Sequence, residues 1–415
     1  MTKLNKKLIF YIIGMLLVFN GGAMIISSFV SILFNDGVFK EVAFSAIFLI
    51  ILGWLIMTFS KNNIRQINKR DGYIIVTIGW LTMVFSGMLP YYLTGSINSF
   101  SNLFFETMSG YTTTGSTILN DVEALPKSII FWRSMTHWLG GMGIIVLAIA
   151  ILPLLGIGGM QLFSAEAPGI SSDKIHPRIS DTAKRLWIIY VGLTFTETIL
   201  LKIAGMSFFD AINNSMSNIA SGGFSSRNES IGYWNDIPLI QYIIILFMFL
   251  AGTNFVLIYF GITGKIKKII QDTEFKWYLS LISSFAIMVT ITLYFSVDLS
   301  ATGVDHPQVY GKFESSFRHA LFQVVAIITT TGFVTGDFIS WGPFLTMFFF
   351  GIMFLGGSSG STSGGVKVLR HLILVKNGFL EFKRSLHPNA IFPLRHNNSV
   401  VEKPIIIHVL AFFIL

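Results

Sequence analysis

Long apolar runs separated by short polar turns dominate the chain. The first two run from Leu8 to Leu33 and from Val42 to Phe59, near or above the length that carries a helix across a bilayer. Three more begin at Tyr73, Leu186 and Trp277 and end at Leu93, Ile203 and Phe295. Each of these three leads into a shorter amphipathic stretch, then a cluster of Thr, Ser and Gly, then another apolar run. The clusters read Thr112-Thr113-Thr114-Gly115-Ser116, Ile219-Ala220-Ser221-Gly222-Gly223 and Thr329-Thr330-Thr331-Gly332-Phe333. Gly115 to Gly222 is 107 residues and Gly222 to Gly332 is 110. One building block therefore recurs about every 108 residues.

The short stretches, Ser99 to Gly110, Phe208 to Asn218 and Ser315 to Ile328, hold about twelve residues each, too few to span. They predict re-entrant half helices. Extended backbone after a half helix persists at membrane depth only where it lines a water-filled path. Glycine there lets carbonyls turn inward and replace a cation's hydration shell. One such cluster reads as a turn, but three at one period read as filter strands. Past the third, the apolar pieces Phe344 to Leu355 and Val366 to Val375 flank Gly356 to Gly365, which is all Gly, Ser and Thr. Neither piece spans alone. Joined, they predict one helix broken near mid-membrane by a loop beside a cavity.

Composition agrees with this pattern. The chain is 53% hydrophobic and 12% charged, against roughly 25% charged in soluble domains, and its mean hydropathy is +0.68. The fold class is an all-α polytopic membrane protein. With no cysteine, disulfides, thiolate metal sites and cysteine nucleophiles are excluded. The net charge of +8 comes from basic residues clustered between apolar runs, and of 29 Lys and Arg only Lys40, Lys127, Arg133, Lys202, Arg227, Lys312 and Arg318 are assigned to the opposite side. That asymmetry predicts a cytoplasmic N-terminus behind Lys3, Lys6 and Lys7, with lipid headgroups rather than nucleic acid as the partner. The first run is too long for a signal peptide's apolar core and has no small-residue cleavage site.

These clusters, together with Phe104-Phe105-Glu106, Trp132-Arg133, Gly140-Gly141-Met142-Gly143-Ile144, Gly158-Gly159-Met160-Gln161-Leu162, Gly222-Gly223-Phe224-Ser225 and His387-Pro388-Asn389-Ala390, resemble the Trk/Ktr/HKT superfamily of potassium transporters. The bacterial TrkH subunits are the branch they match most, and the resemblance covers essentially the whole chain. It implies potassium uptake at the cell inner membrane, with K+ as the transported ion and no cofactor. It also implies units of helix, pore helix, filter loop and helix around a pseudo-fourfold path. Carried over, the filter carbonyls lie near Thr113, Thr114 and Gly115, near Ala220, Ser221 and Gly222, and near Thr330, Thr331 and Gly332. The second strand lacks the Thr pair of the others, a mild departure if carbonyls coordinate. Gly115 matches the potassium-selective pattern. The Gly356 to Gly365 loop, with Gly356, Gly357, Gly360, Ser361, Thr362, Gly364, Gly365 and the neighbouring Lys367 and Arg370, corresponds to the gate below the filter. A homodimer and a separate nucleotide-binding regulatory subunit of TrkA type are implied as partners. Lys265, Lys267, Lys268 and the Lys376 to Arg395 segment are candidate docking or lipid-facing surface.

The domain boundaries on this reading are 1–71 for two N-terminal helices, 72–170, 171–270 and 271–400 for three pore units, and 401–415 for the start of a fourth. A fourth filter glycine is expected at about position 440, so conduction is expected to need about seventy residues beyond Leu415. Two other classes compete with a filter-and-gate protein. An alternating-access carrier suits broken helices but not a repeated filter. A polytopic transferase needs clustered His, Asp or Glu at one face, and none is visible, so the chain is not expected to be an enzyme. Among single residues, Glu106 either raises the local cation concentration or satisfies backbone behind the filter. Glu197, five residues before Lys202, reads as interfacial and structural. His137 and His319 lack a second ligand at i+4 for a metal site. Gly156-Ile157-Gly158-Gly159 lacks the strand and helix of a nucleotide fingerprint.

Overall fold

A computed structural model of the chain describes residues 4–60, 69–141, 143, 179–297, 307–387, 389–397, 399–401 and 403–414. The basic residues Lys61, Arg65, Lys174 and Arg178 and the stretch from Gly156 to Leu162 lie outside the described residues. Nearly every described element is helical, and five helices are long and apolar enough to cross a membrane.

The chain begins with a helical hairpin, α1 (Lys6–Phe34) and α2 (Phe39–Ser60). Asn5 caps α1 by accepting the Leu8 N–H, and Asn35 ends it in the left-handed conformation. Small residues seven apart hold the two helices together. A β-carbon on Gly53 would stand 2.5 Å from the Gly14 carbonyl oxygen, and one on Gly21 would stand 2.7 Å from that of Ala46. Backbones this close are how helices associate where lipid removes the hydrophobic drive between them. Outward-facing Phe44, Ile47, Phe48, Ile51 and Trp54 are exposed, as side chains that meet lipid tails should be.

The first compact unit closes at Tyr233 and the second opens at Trp234. The first continues through α3 (Lys69–Gly87), α4 (Leu89–Leu93), the half helix α5 (Phe100–Tyr111), α6 (Lys127–Gly141), α7 (Ile179–Ile203) and the half helix α8 (Phe208–Ile219). The block expected at 171–270 is thus shared between the units, with its first helix and half helix in one and its second helix in the other.

That second helix is not one run. It comprises α9 (Pro238–Ala251) and α10 (Phe255–Ile262), bent by 109° at the break. The sequence reading expects a continuous span here. Gly252, Thr253 and Asn254 interrupt it, because Asn254 turns its carboxamide back to cap α10 through the Val256 N–H at 2.8 Å, as helix-starting Asn residues do.

The second unit continues with the short α11 (Ile266–Gln271), the spanning α12 (Thr273–Ser296), the half helix α13 (Lys312–Ile328), α14 (Pro343–Ile352) and α15 (Val368–Leu386). A small antiparallel hairpin of β1 (Arg395–His396) and β2 (Ser399–Val400) precedes α16 (Lys403–Ile414). The apolar pieces on either side of the glycine-rich segment fall on α14 and α15.

Candidate functional site

The three half helices end identically, which side-chain patterning alone could not fix. Their cap residues are Thr112, Ala220 and Thr329. The next residue in each, Thr113, Ser221 or Thr330, has φ of 52°, 54° or 55°. Its N–H returns to the carbonyl of Gly110, Asn218 or Ile327, and the following N–H returns to Ser109, Ser217 or Ala326. This is the double back-bonded helix end that normally carries glycine at the left-handed position. Thr or Ser there is strained by about 1–2 kcal/mol. One residue further lies a second left-handed position, Gly115, Gly223 or Gly332, with φ of 77°, 82° and 76°.

The backbone therefore corrects the register of the second cluster. Gly223, not Gly222, matches Gly115 and Gly332, and the intervals become 108 and 109 residues. Gly222 stands where the other loops have Thr114 and Thr331. In those loops Thr112 bonds Thr114 and Thr329 bonds Thr331, both at 2.8 Å between hydroxyls. The second loop has no such pair, and α6 explains why. A β-carbon on Gly222 would overlap the His137 ring, and one on Gly141 would meet the Ala220 Cα at 2.6 Å. Small residues at 220 and 222 let α6 pass between the first and second loops, where Gly140 also lies against the Tyr111 carbonyl.

A buried ion pair fastens these two loops from behind. The Arg133 Nε donates to Glu106 at 2.7 Å, with the carboxylate wholly enclosed. Glu106 also accepts the Thr117 hydroxyl and the Ile118 N–H, while Arg133 Nη1 donates to the Ser225 carbonyl at 3.1 Å. The guanidinium lies 3.5 Å from the centre of the Phe224 ring, which stacks on His137 at 3.9 Å. Of the two readings of Glu106, satisfying backbone behind the loop is the one the structure supports.

Towards the loop tips, Arg227 bonds Glu123 and Asp210 at 3.0 Å each, and Asn228 bonds Asp121 and the Val122 N–H. Burial alone would disfavour charge on Arg227. The Asp210 hydrogen bond and charge, with help from Glu123, instead hold its pKa above the ordinary value. Asn20, deep in α1, accepts the Tyr111 hydroxyl at 2.6 Å and donates to Ser86 at 2.7 Å. The sequence reading passes over Asn20, although a lone amide within an apolar span is itself a signal.

Two arginines counted with the outer charges are interior. Arg133 and Arg318 are both enclosed, and Arg318 pairs with Glu314 at 2.8 Å and bonds Gln241. Neither charge faces a membrane surface, so neither bears on orientation. Glu197 has a structural role inside the protein. It is fully buried, and accepts Asn218 Nδ2 at 2.5 Å at the end of α8.

In the second unit the glycine-rich loop is pinched at its base by a parallel bridge between Leu355 and Val366, with the Gly356 N–H on the Val366 carbonyl at 2.9 Å. It lies against the α9–α10 break. Ser358 N–H donates to the Gly252 carbonyl at 2.8 Å, the Phe255 N–H to the Gly360 carbonyl at 3.1 Å, and the Thr362 hydroxyl to the Ala251 carbonyl at 3.2 Å. On the filter-like side, the Gly364 N–H donates to the Thr330 hydroxyl at 2.6 Å, and Ser363 approaches the same hydroxyl at 3.4 Å. Lys367 caps the loop through Ser361 and the Ser363 carbonyl. The Ser359 N–H donates to Glu274 at 2.6 Å. Every residue expected in the gate segment is thus in one folded loop, and it touches the left-handed Thr330.

Spanning helices interleaved with half helices that end in one repeated loop, and a helix broken beside the third of them, are the build of a polytopic cation transport protein. The family model described as "Cation transport protein", TrkH, matches residues 38–415. The chain belongs to the TrkH family. It is 39% identical over 407 residues to the Trk system potassium uptake protein TrkH of Escherichia coli K12, covering 97% of this chain and 81% of that one. With the TrkG protein of the same organism it shares 37% identity over 372 residues, 89% of this chain and 74% of that one. The crystal structure of the potassium transporter TrkH from Vibrio parahaemolyticus aligns with a TM-score of 0.84 at 34% identity, over 98% of this chain and 82% of that one. These relatives are transporters, and the transferase alternative is set aside.

Proposed function

We propose that this protein takes up potassium across the bacterial inner membrane, its N-terminus cytoplasmic, through a carbonyl filter controlled by the Gly356–Gly365 loop. The observation that carries the reading is the threefold helix ending. In each loop a left-handed residue, a residue of ordinary φ and a left-handed glycine follow one another. Alternating the sign of φ puts successive N–H groups on one side of the strand and carbonyls on the other; N–H groups so gathered suit anions, but here the first two of each loop bond back into the half helix, which leaves the carbonyl side for a cation. Carbonyls so arranged replace water around a cation, and the half helix points its negative C-terminal end at the same place.

The filter residues on this reading are Thr113 to Gly115, Ala220 to Gly223 and Thr330 to Gly332. The named relatives are potassium uptake proteins of a Trk system, which supports potassium as the ion and a further component beside this chain; that this component is a nucleotide-binding cytoplasmic subunit of TrkA type, and that the protein is a homodimer, rest on the family resemblance.

Expressed in a strain that lacks other uptake systems, the protein is expected to restore rubidium uptake that potassium suppresses and sodium does not. Equal suppression by both ions overturns the selectivity. Shortening the loop by removing Ser358 to Ser363 is expected to raise flux severalfold in the absence of the regulatory subunit. Unchanged flux would reduce the segment to a linker.

A further inference from the structure

The glycine-rich loop has few side chains of its own, so something outside it must hold its shape. Backbone carbonyls at the α9–α10 break do part of this, but one anchor is a carboxyl side chain. Glu274, in the first turn of α12, accepts the Ser359 N–H at 2.6 Å and is itself buried. A buried backbone N–H that loses its acceptor away from water bears the full cost of an unmade hydrogen bond. The two residues before it connect to the β1–β2 hairpin. Asp272 caps α12 by accepting the Phe275 N–H at 2.7 Å, and its second oxygen accepts Asn397 Nδ2 at 2.6 Å. The Thr273 N–H in turn donates to Asn397 Oδ1 at 2.8 Å. Asn397 sits at the hairpin turn with φ of 45° and clasps both residues that precede Glu274.

We infer that Glu274 is a positioning residue that holds the gate loop closed, and that the Arg395–Val400 hairpin sets its place through Asn397. The inference rests on the gate reading above and adds to it the side chain that keeps the gate shut and the cytoplasmic element that biases it. Ser359 and Ser358 are neighbours on the loop, and the Ser358 N–H is on the Gly252 carbonyl. Loss of the Glu274 acceptor frees one end of that pair, and the loop lifts from the helix break. A movement of the hairpin would do the same less completely, because Asn397 acts on Glu274 only through the first turn of α12.

The chain lacks cysteine, so a single reporter can be placed cleanly. In the full-length reconstituted protein carrying Ser358→Cys, the rate of modification by a small methanethiosulfonate reagent reports whether the loop lies down, since Ser358 is buried. Adding Glu274→Ala is expected to raise that rate about tenfold. Glu274→Gln, which keeps an acceptor oxygen, is expected to stay within about threefold of the parent. Asn397→Ala is expected to raise the rate about threefold.

A reporter at the exposed Ser340, in the loop before α14 and outside the spanning helices, introduced as Ser340→Cys, should be unmoved in all three backgrounds, which separates loop release from general loosening. An unchanged rate in Glu274→Ala, or a tenfold rise at both reporter positions, overturns the positioning role. A rise in Glu274→Gln as large as in Glu274→Ala overturns the hydrogen bond as its cause. If Glu274→Ala does not purify, the surface change Asn397→Ala carries the test, and an unchanged rate there overturns the hairpin's part. The gate reading fails separately, if shortening the loop leaves flux unchanged while the labelling results stand.

Discussion

Gly115→Ala is expected to abolish rubidium uptake, a loss of at least about tenfold, in protein that still folds. Two independent costs meet at this residue. Its φ of 77° is a conformation that costs an L-residue about 1–2 kcal/mol, and a β-carbon there would overlap the carbonyl oxygen of Gly222. One strand must move, and carbonyls that replace a hydration shell act only at the right distance from the ion. Gly332 offers the internal comparison. It has a φ of 76° but open space around its β-position, so Gly332→Ala pays only the conformational cost and should lose less uptake than Gly115→Ala. The measurement is initial uptake rate beside a thermal melt in detergent. Normal uptake and selectivity in Gly115→Ala would remove the first loop from the filter.

Arg133→Ala is expected to destabilise the first unit by about 3–5 kcal/mol. The substitution leaves Glu106 charged and enclosed with only the Thr117 hydroxyl and Ile118 N–H as donors. It also removes the donor to the Ser225 carbonyl and the cation over Phe224. Replacing both partners by apolar residues, Glu106→Leu with Arg133→Met, should be much milder, since no buried charge is then left alone. Thermal unfolding of the single and double variants in detergent decides this. A single variant no less stable than the double one would show that the pair does not fasten the loops.

Much of this was legible because membranes impose simple rules. Segment length separates α1, α2, α3, α7 and α12 from the half helices α5, α8 and α13, and the period of about 108 follows from chain counting. The glycine-rich interruption between α14 and α15 was visible for the same reason, since neither apolar piece spans. The break between α9 and α10 was missed because its apolar flanks conceal it, with only Gly252 and the capping Asn254 as signals. The Asn218 partner of Glu197 was not legible, because distance in sequence from Lys202 says nothing about which helix face a carboxylate occupies.

The register of the second loop is the sharper lesson. Ser221-Gly222-Gly223 offers two glycines, and composition favours neither. The choice falls to Gly223 because α6 passes through the first unit and its His137 ring fills the space beside Gly222, while the left-handed helix end sets the count from Ser221.

The amino-acid sequence by itself determined the membrane class, the repeating unit, the half helices, the three glycine-bearing clusters and the glycine-rich segment after them, because hydropathy, length and period are properties of the chain alone. Only the tertiary structure decided which glycine of the second loop is left-handed, that Glu106 and Arg133 pair behind the loops, and that Glu274 accepts the Ser359 N–H of the glycine-rich segment. Those depend on residues tens of positions apart meeting in a medium without water, where each buried polar group must find a partner that no local pattern names.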